Sequence, residues 1–132
     1  DELLKEAITV GSVKLIAKEV PNMSATALGQ LADALVARLP CGVAVLASVV
    51  GNRILFVAKV SPEAKAHGVH AGELLRQVAS ITGGGGGGRA DFAQAGGKDT
   101  SKLNEALSKA KEVVEAQISG ATRERGHTKR QS

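Results

Sequence analysis

The chain has 132 residues, enough for one domain, and its 43% apolar content comes from Ala, Val, Leu and Ile, with no Trp or Tyr and only Phe56 and Phe92 aromatic. So few rings argue against a surface that stacks single-stranded bases; the lone Cys41 excludes an internal disulfide, and no run reaches the ~18 apolar residues of a membrane span. The net charge of +4 belongs mostly to the tail, because residues 1–120 hold 13 Lys and Arg against 12 Asp and Glu.

In chain order, residues 1–9 read as the end of a helix belonging to a preceding segment, with Leu3, Leu4, Ala7 and Ile8 on one stripe and Gly11 as its stop. The opening on Asp1 inside this pattern, and not on Met, suggests a piece of a longer protein. Residues 12–20 alternate as a strand, and Pro21-Asn22 turns the chain. From Ser24, the spacing of Leu28, Leu31, Ala32, Leu35, Val36 and Leu39 predicts an amphipathic helix, capped by Asn22 or Ser24 and stopped by Pro40. Residues 42–50 and 53–60 are β-rich runs joined by Gly51-Asn52, a two-residue hairpin signal. Ser61-Pro62 opens a short helical segment ending at Gly68, and residues 71–81 place Leu74, Leu75, Val78 and Ala79 on one helix face.

Six glycines, Gly83 to Gly88, follow as that helix's stop and read as a loop. Residues 91–95 read as a short edge strand. Thr100 or Ser101 then caps a helix carrying Leu103, Ala106, Leu107, Ala110, Val113 and Val114 and ending at Gly120. Residues 121–132 read as a disordered basic tail. The order predicts an α/β layer fold: a mixed β-sheet of about four strands packed with helices, with residues 11–120 as the globular domain.

The glycine segment carries the chemistry. Glycines contribute no packing and lose the most backbone entropy on ordering, so a run of six is either a spacer or a place where backbone lies against something. Arg89 follows it, then Phe92 and Gln94, then Gly96-Gly97 before a helix start, a combination suited to an anion such as phosphate. Two familiar enzymatic motifs fail. Gly97-Lys98 is followed by Asp99 where a P-loop needs Ser or Thr, and the run follows a helix where a dinucleotide fingerprint needs a strand. His67 and His70 lack further ligands for a metal, and Cys41 has no basic neighbour in sequence to make it a nucleophile. Neither a catalytic residue, a metal nor a cofactor is expected.

The stretch from Gly83 to Asp99, GGGGGGRADFAQAGGKD, resembles the segment near the C-terminus of alanyl-tRNA synthetases, in which a glycine-rich loop, a base and an Ala-Gln-Ala-Gly-Gly ending follow one another. The preceding stretch 61–82, the hairpin 42–60 and the closing helix 101–119 extend the resemblance over residues 1–120. DHH-type phosphoesterases share the glycine motif in an accessory domain. The resemblance implies a non-catalytic C-terminal domain that binds the outer corner of alanine-specific tRNA and supports aminoacylation and editing. Its implied contacts are the backbone of Gly84, Gly85, Gly86, Gly87 and Gly88, the amide of Gln94, the helix start at Ser101, and the cations Arg89, Lys98 and Lys102. Other implied partners are the remaining domains of the synthetase and a homodimer, and the implied setting is cytoplasmic or mitochondrial. The alternatives are a protein-interaction or dimerisation module, or the accessory domain of a phosphoesterase.

Overall fold

Two strands with apolar side chains on both sides anchor the sheet. In β3 (Gly42–Val50) and β4 (Arg53–Val60) successive residues point to opposite faces: Val43, Val45 and Ala47 join one buried cluster, Ala44 and Leu46 the other. Helices cover both faces, which is why nearly every position in these runs is apolar. The hairpin between them has φ +65 at Gly51 and no positive φ at Asn52, the pattern of a type II′ turn. The computed structural model describes the backbone of residues 2–131 and the side chains of residues 4–119.

The sheet has six strands in the order β1–β2–β3–β4–β6–β5. Here β1 is Ile8–Val10, β2 Val13–Glu19, β5 Gly85–Gly88 and β6 Phe92–Gly97. Strands β2 and β3 are parallel, linked across helix α2 (Ala25–Ala37); every other neighbouring pair is antiparallel. Ser24 caps α2 by accepting from the Ala27 amide at 3.1 Å, and Leu28, Ala32, Leu35 and Val36 pack onto one face of the sheet. The other face is covered by α4 (Ala71–Ile81), through Leu74, Leu75, Val78 and Ala79, and by α5 (Leu103–Gln131), through Leu103, Ala106, Ala110, Val113 and Val114. Each fully buried leucine contributes about 1.5–3 kcal/mol, so these stripes hold the layers together. The short α3 (Pro62–Ala66) is capped by Ser61, whose hydroxyl also accepts from the buried Gly42 amide.

The class is α/β with one mixed sheet, as the sequence predicts, but with two more strands. The N-terminal helix, α1, spans only Glu2–Lys5; Ile8–Val10 pairs with β2, where β-branched Ile8, Thr9 and Val10 fit a pleated edge better than a helix turn. The other unforeseen strand is made of the glycines. Strand β6 is longer than expected and lies inside the sheet, between β4 and β5. Gly120 does not end α5, which runs to Gln131. Its two interior glycines, Gly120 and Gly126, cost about 1 kcal/mol each, and no proline follows either. The tail's side chains lie outside the described residues. Among the described residues, no helix is long and apolar enough to cross a membrane, and no three His, Cys, Asp or Glu side chains cluster as for a metal.

Candidate nucleic-acid interface

Helix α4 gives way to the glycines through a tight reversal. Gly83 takes φ +74, a conformation few other residues adopt, and the amides of Thr82, Gly83 and Gly84 donate to the carbonyls of Ala79, Ser80 and Ala79 at 3.0, 3.1 and 3.0 Å. The Thr82 carbonyl in turn accepts from the Lys98 and Asp99 amides at 3.0 and 2.9 Å. Both ends of the glycine segment are therefore tied to one buried threonine. These bonds also use up the amides that would form an anion cradle at the loop's start.

The next four glycines are strand, not loop. Their partners are Gly96, Ala95, Gln94 and Ala93 of β6, and the Arg89 amide closes the ladder on the Phe92 carbonyl at 2.9 Å. Antiparallel alternation then directs the amides of Gly85 and Gly87 toward β6 and those of Gly86 and Gly88 toward the outer edge.

What a side chain would meet separates these glycines into two sets. A Cβ on Gly84 would run into the Gly96 carbonyl; on Gly86 it would lie 2.5 Å from the Ala95 Cα, and on Gly88 2.7 Å from the Phe92 carbonyl. Those three are glycine because neighbouring backbone occupies the space. Gly85 and Gly87 are different: a Cβ there would meet nothing within 4 Å, and their φ angles are ordinary for any residue. Gly96, opposite Gly85, has only a 3.8 Å neighbour. By register, Gly85, Gly87, Gln94 and Gly96 share the sheet face that carries α2, beyond the helix's edge. Gly85, Gly87 and the half-buried Gly96 make a strip of bare backbone, with the exposed Gln94 side chain beside it.

Beside this strip lies a cleft of about 480 Å³, bounded by Ala25 at the start of α2, Arg53 and Leu55 of β4, Gly84 to Gly86, Gln94 and Lys98. It continues through a hollow that shares Ala25 and Gln94, and then through another that shares Asp33 and Lys59, forming one trench along α2 that the glycine strand borders only at the first cleft. Its charge is uneven. Arg53 and Lys98 stand exposed at one end, with no ion pair among the described residues. At the other end Lys59 pairs with Asp33 at 3.4 Å and Arg89 with Asp91 at 3.5 Å. Helix α2 carries no basic residue.

The structure thus brings Gly84, Gly85, Gly86, Gln94 and Lys98 into one cleft, with Gly87 and Gly88 continuing the same strand. Arg89 lies at the strand's opposite end from Lys98. Ser101 and Lys102 do not line the cleft: they belong to a 3₁₀ turn, Thr100–Lys102, whose cap is Asp99 and not Thr100 or Ser101. The Asp99 carboxylate accepts from both the amide (3.1 Å) and the hydroxyl (2.5 Å) of Ser101, so that helix start already holds an anion. The hydroxyl bond, more than the amide bond and Lys102, holds the Asp99 carboxyl below the usual range. Burial, with Glu63 nearby, raises the Cys41 thiol, which keeps it protonated and unlike a nucleophile. Sequence reasoning missed Arg53; its signal was a base directly after a hairpin turn, which only strand register aligns with Lys98.

Set beside known proteins, residues 12–116 match the model of the DHHA1 domain. Over 119 residues the chain is 44% identical to an alanine–tRNA ligase of Natranaerobius thermophilus, covering 90% of this chain but 14% of that protein. The crystal structure of the C-Ala domain from Aquifex aeolicus alanyl-tRNA synthetase superposes with a TM-score of 0.76 at 38% identity, over 83% of this chain and 97% of that one. A pGpG-specific phosphodiesterase, PggH from Vibrio cholerae, shares the fold at 13% identity and a TM-score of 0.51, over 88% of this chain and 37% of that one.

Proposed function

The chain belongs to the DHHA1 domain family, as a C-Ala-type domain, and we propose from this that it is the non-catalytic tRNA-binding domain of an alanine–tRNA ligase. It spans 14% of the ligase it was compared with, so the ligation chemistry would reside elsewhere in the parent chain. The proposed ligand is the outer corner of alanine-specific tRNA, held so that aminoacylation and editing act on one molecule. No cofactor is called for, and the setting is cytoplasmic.

One observation carries the reading: Gly85 and Gly87 are glycine where the fold leaves room for a side chain. Alanine at such a position ordinarily stabilises a protein by about 0.4–1 kcal/mol, through the unfolded chain. A bare strip on an exposed sheet face is what a broad, flat surface such as a sugar or a stacked base pair needs in order to reach backbone. Arg53 and Lys98 at the strip's open end would meet phosphate, and Gln94 adds an amide donor and acceptor beside it. Phosphate contacts position the RNA, and shape selects it.

Titration of the chain with tRNA over a salt series tests this. Arg53→Ala and Lys98→Ala should each weaken binding and each lower the slope of log affinity against log salt by about 1, the signature of one lost phosphate contact. Arg89→Ala should do less, because Asp91 already engages that guanidinium. Slopes unchanged in the first two variants would contradict the reading.

A further inference from the structure

The Arg89 end of the glycine strand is held from outside the sheet. The first two amides of α4, those of Ala71 and Gly72, donate to the carbonyls of Ala90 and Arg89 at 2.8 and 3.0 Å. Gly72 permits this approach, because a Cβ there would lie 2.5 Å from the Gly88 carbonyl. The position of residues 88–90 is therefore set by the first turn of α4.

That turn is fixed in two ways. The His70 ring accepts from the Glu73 amide through Nδ1 at 3.1 Å, serving as the helix cap. The Gln117 carboxamide of α5 then pairs with the His70 backbone as one peptide pairs with another: its Oε1 accepts from the His70 amide at 3.3 Å, and its Nε2 donates to the His70 carbonyl at 3.2 Å. A residue 47 positions away thus grips the cap residue on both sides. Either bond alone would be ordinary. Together they connect α5 to the α4 start, and the α4 start to the end of the glycine strand.

We propose that His70 and Gln117 are positioning residues that latch Gly88–Ala90 in place and so set the line of the glycine strand against which the ligand lies. Neither residue touches the strip. The ligand part of the proposal rests on the RNA-binding reading above; the latch itself does not.

Amide hydrogen exchange on the chain, with tRNA affinity measured alongside, decides both parts. Gln117→Ala and His70→Ala should each speed exchange at Ala71, Gly72 and Glu73 by about fivefold, the size of a typical lost cap, while the amides of β3 keep their protection. His70→Asn should restore slow exchange, because asparagine is a good cap and a merely bulky role for the imidazole would not be rescued. Affinity for tRNA should fall several-fold in the two alanine variants and recover in His70→Asn. Wild-type exchange in both alanine variants would overturn the latch. Faster exchange with unchanged tRNA affinity would overturn its role in positioning the glycine strand. A wild-type chain that bound no tRNA would overturn the RNA-binding reading, while the exchange rates would still support or overturn the latch.

Discussion

Single residues divide here by what surrounds them. Gly84, Gly86 and Gly88 answer to the fold, since backbone atoms stand where their side chains would be, whereas Gly85 and Gly87 answer to nothing inside the chain. Asp99 shows the same discrimination among polar groups. It resembles a free acid beside a glycine-rich segment, yet its carboxylate is committed to Ser101. Its folded-state pKa is lowered, so the bond stabilises the fold above the carboxyl's unfolded pKa and is lost as pH falls through the folded value. Thermal melts over the acid range should therefore show Asp99→Asn less stable than wild type at pH 7, with the gap closing as pH drops below the ordinary carboxylate range. A gap that widened on acidification would contradict this assignment.

At the scale of elements, the glycine strand is where sequence and structure part. Helices α2 and α4 and the β3–β4 hairpin were legible, because apolar spacing and caps such as Ser24 report local geometry directly. The candidate site was partly legible: Gly84–Gly88, Gln94 and Lys98 stood out as a block, whereas Arg53 needed a register that no local pattern encodes. Strand β5 was not legible at all. Four glycines have poor strand propensity, and what makes them a strand is long-range: pairing to β6 and the α4 start against Gly88. Strand β1 was hidden for a related reason, since three residues are too few for a period to show. This origin of β5 predicts opposite signs for adjacent substitutions. Gly86→Ala should destabilise the chain by about 1–3 kcal/mol through overpacking. Gly87→Ala should be neutral or stabilising by about 0.4–1 kcal/mol. Denaturant melts of the two variants compare them directly, and equal losses would show that the strand does not pair as described.

For the molecule as a whole, the three layers serve to present one uncovered strip. On one side of the sheet α4 and α5 form a continuous cover; on the other, α2 packs over the central strands and stops short of β5 and the far half of β6. The trench left beside α2 has its bare backbone and the exposed cations Arg53 and Lys98 at the same end. With few phosphate contacts, attraction should be modest and strongly salt-dependent, and discrimination should come from the shape that fits the strip. Ile8, 43% exposed on the edge strand β1, lies at the opposite margin of the sheet from the glycines. The most direct test of the central claim is tRNA binding at low salt by the double variant Gly85→Ala, Gly87→Ala, with its melting temperature measured on the same preparation. The expected result is a chain as stable as wild type or more so that has lost most of its affinity for tRNA. Undiminished affinity in that well-folded variant would contradict the claim.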